Sequence, residues 1–239
     1  MLPKNLLCIE ACTDRLTLAL YSDGELKAFA EPEPGAKHHC ETLVPSIDAL
    51  LADDNLKPGD IDAVAVTRGP GSFTSVRIAL ATALGLARPR KLPLYAVSTL
   101  ETLAAGVREE ECLVLPLLDA RKGEVYGAMY RIVGGIPQLS LPECVTPIDE
   151  MLEAAASKVC CEYISVIGDG ALVYRDDIRR QTRFLIAEGS EIHRPDAAAL
   201  GRVVLHRLAH GLPFDEATPN YLRQPEAVVN LGRTPEGLH

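Results

Sequence analysis

The chain has 239 residues, 47% hydrophobic and 24% charged, enough to bury a sizeable core in one large domain or two small ones. A net charge of −9 and a pI of about 5.2 argue against it gripping nucleic acid alone, because phosphate binding needs a basic face; cationic partners stay open. Four Phe and no Trp leave little base-stacking surface, and no apolar run approaches the roughly 18 residues of a membrane-spanning helix.

Residues 6–11 read as a buried strand; Glu10 and Asp14 interrupt the apolar N-terminus, which is not the pattern of a signal peptide. A second strand spans 16–21, and Asp23-Gly24 is a two-residue hairpin signal leading to a third at 25–31. Leu43, Val44, Ile47, Leu50 and Leu51 mark an amphipathic helix over 39–52, with Pro45 tolerable near its first turn or as a kink. A strand at 61–67, a helix at 72–87 and a strand at 94–97 follow; Ser98 caps the next helix, with Glu101 at the capping-box position. The remainder repeats the order: strands at 112–118, 124–130 and 136–144, a helix at 148–159, a strand at 163–167, a short helix at 171–179, a strand at 184–187 and a helix at 195–210. Both halves read β-β-β-α-β-α-β-α with little residue identity between them. That order predicts an α/β protein of two mixed sheets with helices on both faces and a cleft between the units.

The turn Arg68-Gly69-Pro70-Gly71-Ser72-Phe73-Thr74 joins a strand to a helix. Its glycines and the Ser72 cap suit an anion cradle, or equally a tight turn that only seats the helix on a sheet. In the helix, Ser75, Ala79, Ala83 and Ala87 share one face, beside an apolar stripe of Val76, Leu80 and Leu84. The seven cysteines contain no Cys-x-x-Cys and read as reduced thiols of a cytosolic protein.

Gly69 to Thr74, followed by Val76-Arg77-Ile78, resembles the signature of the bacterial TsaB (YeaZ) family. Ser98-Thr99-Leu100-Glu101, Asp119-Ala120-Arg121-Lys122-Gly123-Glu124-Val125-Tyr126 and Pro219-Asn220-Tyr221-Leu222-Arg223 stand in the family's order and carry the resemblance over most of the chain. It implies a duplicated actin/Hsp70-like fold of the ASKHA, ribonuclease H-like type. The lobes are expected at 1–107 and 108–239, the last helix being free to pack back on the first. The implied role is that of a cytoplasmic, non-catalytic subunit of the machinery that places threonylcarbamoyl on N6 of adenosine 37 in tRNA. Such a subunit pairs with the catalytic homologue TsaD, is joined by the ATPase TsaE, needs no cofactor and meets tRNA only indirectly; a homodimer is the form open to it alone. The family pairs through the two helices, so Leu43, Val44, Ile47, Leu50, Leu51, Ser75, Val76, Ala79, Leu80 and Ala83 are the expected partner surface.

The chemistry of catalysis is thin. Actin-like ATPases hold phosphate at an Asp-x-Gly turn after the first strand, where this chain has Glu10-Ala11-Cys12-Thr13. Glu10, Gly168 and Gly170 remain candidate nucleotide contacts, and an ATP-binding enzyme is the rival reading. The metal-binding His-x-x-x-His of the catalytic homologues is missing at His38-His39; His206 and His210 have the spacing but no third ligand in register. Asp119 and Glu124 read as a carboxylate pair or as an exposed hairpin. Arg68, Arg77 and Arg121 read as phosphate ligands or, preferably, as internal salt bridges.

Overall fold

The computed structural model describes residues 2–32, 39–160 and 162–223. Among the described residues, ten strands form two five-stranded sheets of identical connectivity. The first has the order β3-β2-β1-β4-β5, from β1 (Asn5–Glu10), β2 (Thr17–Ser22), β3 (Glu25–Ala30), β4 (Ala63–Thr67) and β5 (Leu94–Val97). The second has the order β8-β7-β6-β9-β10, from β6 (Glu111–Arg121), β7 (Glu124–Val133), β8 (Ile136–Pro147), β9 (Ile164–Ile167) and β10 (Phe184–Ile186). In each, three antiparallel strands form a meander whose first member also pairs in parallel with the fourth.

The apolar run of β1 is explained by cover on both faces. Leu7 and Ile9 point to α1 (His39–Asp53) and α2 (Phe73–Ala87), while Leu6 and Cys8 point to α7 (Ala197–Ala209). In the second sheet Leu113, Leu115 and Leu117 meet α4 (Ile148–Ser157), α5 (Asp169–Val173) and α6 (Arg175–Arg179). The opposite face, with Val114 and Ile167, meets α3 (Thr99–Ala104). The last helix of each half is therefore exchanged: α3 covers the second sheet and α7 the first. Gly201 makes this close, since a Cβ there would stand 2.1 Å from the Tyr21 ring, and the Tyr21 hydroxyl donates to Ala198 O at 2.7 Å.

Several local expectations change. The helix expected over 171–179 is two short helices broken at Tyr174, whose hydroxyl donates to the Asp119 carboxylate at 3.2 Å. Ser98 caps α3 by accepting from Leu100 N at 3.1 Å, but Glu101 closes no capping box; its carboxylate takes Arg207 of α7 at 2.5 Å. Asp23 and Gly24 both adopt positive φ, as a tight hairpin requires. Among the described residues no helix is long and apolar enough to cross a membrane. The tail 224–239, His38 and Cys161 lie outside the described residues.

Candidate functional site

A cleft of about 1290 Å³ opens where the C-terminal ends of the two sheets face each other. Pro70 to Val76 line one wall, Leu118 to Arg121 with Tyr126 and Asp169 another, and residues 220–223 a third.

The signature turn is held from within. Gly69 has φ 98°, and the Gly69–Pro70 bond is cis. Gly71 lies so close to the turn after β1 that a Cβ would stand 2.2 Å from Cys12 O. Ser72 N donates to that same oxygen at 2.8 Å. Ser72 Oγ accepts from Ser75 N at a long 3.5 Å, so the cap is loose, and Ser72 and Ser75 share a hydroxyl bond of 3.0 Å. Gly69 O accepts from Thr99 N at 2.9 Å. Arg68 contacts Asp215 at 3.3 Å and donates to Thr218 O at 3.2 Å. Phe73 and Thr74 are exposed at the start of α2.

Beneath the turn, Glu10 is fully buried and does not line the cleft. Its Oε1 accepts from Cys12 N at 3.0 Å and from Thr67 Oγ1 at 3.4 Å. Burial outweighs these bonds and pushes the carboxyl up to about 8. The buried Glu10 side chain braces the Cys12 turn. Cys12 stands where a phosphate-binding turn would place glycine; its Sγ lies 3.1 Å from Thr67 Oγ1, and burial pushes the thiol up to about 12.

The second lobe repeats the device. A Cβ on Gly168 would stand 2.0 Å from Leu117 O, and one on Gly170 3.0 Å from the Leu117 carbonyl carbon. These glycines, expected as nucleotide contacts, turn their open sides to β6. His193, a residue the sequence did not single out, braces this turn: Nδ1 accepts from Gly168 N at 3.1 Å, and Nε2 donates to Ala187 O at 3.0 Å. Asp169 accepts from Asp119 N at 3.1 Å and Gly170 N at 2.8 Å; burial raises its carboxyl.

The remaining candidates separate. Asp119 and Glu124 form no pair: Asp119 takes Tyr174 and Arg121, and Glu124 takes Arg223. Arg77 is sandwiched, 3.6 Å from the Phe73 ring centroid and donating to the Tyr221 hydroxyl at 2.9 Å. His206 and His210 stack at 4.1 Å, and among the described residues no group of three or more His, Cys, Asp or Glu is placed to hold a metal.

The residues expected at a partner surface separate by burial. Leu43, Ile47, Leu50, Leu51, Val76, Ala79, Leu80 and Ala83 are all buried in the first lobe's own core. Each large aliphatic side chain buried this way contributes roughly 1.5–3 kcal/mol, so the most apolar stripe of each helix goes to its own sheet. Of the ten residues, Val44 is 51% exposed and Ser75 half-buried. Exposed on the pair are Cys40, Glu41, Val44, Pro45, Asp48, Ala49, Ala52 and Asp53 on α1 and Phe73, Thr74, Arg77, Ala81 and Gly85 on α2.

Comparison with known proteins gives a consistent result. Residues 30–228 match the family model described as TsaD, tRNA N6-adenosine threonylcarbamoyltransferase. The tRNA threonylcarbamoyladenosine biosynthesis protein TsaB of Escherichia coli is 33% identical over 95% of this chain and 97% of its own. TsaB of Bacillus subtilis is 32% identical over 80% of this chain and 82% of its own. Among solved structures, YeaZ from Pseudomonas aeruginosa superposes with a TM-score of 0.75 at 27% identity, covering 91% of this chain and 99% of that one.

Proposed function

This chain belongs to the TsaB (YeaZ) family, has its duplicated actin-like fold and takes part in threonylcarbamoyladenosine biosynthesis on tRNA; we propose that it does so as a non-catalytic subunit. In this reading it is a cytoplasmic scaffold that binds and orients the catalytic homologue TsaD and helps recruit the ATPase TsaE. Its acidity leaves tRNA at adenosine 37 to those partners.

One observation carries the proposal. The glycines that could let a phosphate approach are taken up by the protein's own backbone, Gly71 against Cys12 and Gly168 and Gly170 against Leu117. Both turns therefore act as internal joints. What the first lobe presents outward is the face of α1 and α2, where Ala49, Ala52, Ala81 and Gly85 allow close approach of another helix pair.

Reconstitution tests this. TsaD, TsaE, substrates and tRNA are mixed with and without the chain, and modified nucleoside is quantified by mass spectrometry. The scaffold reading expects modification to require the chain. Full-rate modification without it, or ATP turnover by the isolated chain that is lost with Gly71→Ala in a folded protein, defeats the reading. Gel filtration with and without TsaD separates the heteromeric pair from self-association through the same face.

A further inference from the structure

After α7 the chain returns along the edge of the first sheet, where Asp215 bridges to Ala96. It then crosses the cleft, and residues 219–223 are bonded to the two lobes in turn. Asn220 grips both at once: its N donates to Arg68 O of the first lobe at 2.8 Å, and its Nδ2 donates to Glu143 Oε2 of the second at 2.7 Å. Tyr221 returns to the first lobe, packing on Phe73 at 5.6 Å between centroids and accepting from Arg77. Arg223 goes to the second, donating to Ala120 O at 2.6 Å and pairing with Glu124. Tyr130 fixes the far anchor by donating its hydroxyl to Glu143 at 3.0 Å.

We propose that residues 219–223 are a latch across the mouth of the cleft. It holds the two lobes at one angle, and the cleft widens only when the latch lets go. Two-lobed folds open by hinge motion, and a short crossing segment bonded to both sides opposes that motion directly. No single link is strong: the Arg223–Glu124 pair is part-exposed, the Asn220–Glu143 and Arg223–Ala120 links are part-buried hydrogen bonds, and Tyr221 makes an exposed ring contact and hydrogen bond. A reversible latch requires links of this kind. The ion pair also makes it sensitive to salt.

Two cysteines are placed to read the angle. Cys40 on α1 and Cys160 after α4 are both exposed, one on each lobe. The full chain, with Cys112, Cys144 and Cys161 changed to serine, is spin-labelled at both, and the distance distribution is measured by double electron–electron resonance. The parent should give one narrow distribution. Asn220→Ala/Arg223→Ala should give a broader one, displaced by several ångströms, and molar salt should shift the parent the same way. Glu124→Gln removes the receiving charge without touching the latch and should broaden the distribution to a smaller degree. If the double variant does not fold, Glu124→Gln and the salt series decide. Unchanged distributions in folded variants and in high salt overturn the latch.

Discussion

Gly71→Ala places a methyl group 2.2 Å from the carbonyl oxygen of Cys12, a backbone atom of the turn after β1 that no rotamer change can move. Reaching ordinary contact requires a separation of roughly 1 Å more, taken up by the turn, by β1 or by both. Overpacking of this kind costs about 1–3 kcal/mol. The displacement also stretches the 2.8 Å bond from Ser72 N to that oxygen, worth about 1 kcal/mol more. A total of about 2–4 kcal/mol, at about 2–4 °C per kcal/mol for a chain of this size, lowers Tm by roughly 5–15 °C. Differential scanning calorimetry without ligand measures it, and Gly59→Ala is the control, because its added Cβ meets nothing within 4 Å. An unchanged Tm for Gly71→Ala would refute the packing argument and return the glycine to a role toward a bound phosphate.

Ala83→Arg buries a charge in the first lobe's core and should fail to fold, whereas Ala81→Arg lies on the exposed face of α2; the latter should melt normally and bind TsaD about a hundredfold more weakly in a titration. Gly85→Ala, with nothing near its added Cβ, should raise Tm through a helix-propensity gain of about 1 kcal/mol while weakening TsaD binding; unaltered binding would remove this face from the interface. Glu10 has its folded pKa raised from 4.5 to about 8, so between those values the native state holds a proton that the unfolded chain has released. Stability from this group is complete below pH 4.5 and falls as pH rises to about 8; Glu10→Gln should flatten that slope in urea titrations across the window, and an unaltered slope would contradict the burial.

The order of elements was legible because strand and helix periods differ and because β1 and β4, covered on both faces, read as continuous apolar runs. The exposed face of α1 and α2, proposed as the partner surface, was not. Periodicity finds the most apolar stripe of α1 and α2, and that stripe satisfies the lobe's own sheet first; the opposite face, with Ala49, Ala81 and Gly85, carries almost no signal. Missing glycine after β1 was readable at Cys12, but the burial of Glu10 beside Thr67, 57 residues along the chain, was not. The crossing segment at 219–223 was visible only as a motif, because its polar side chains find partners as distant as Arg77 and Ala120.

The exchange of α3 and α7 has a consequence for how the gene can be cut. A fragment ending near residue 107 would leave the α7 side of its sheet, with Leu6, Cys8, Ala63 and Ala65, open to water, and the complementary fragment would lack α3 over Val114 and Ile167. Each piece would be sticky and incomplete by itself, yet each carries the cover its counterpart lacks. Produced together, the two pieces should recover one another and assemble, as a severed clasp closes when both halves are present.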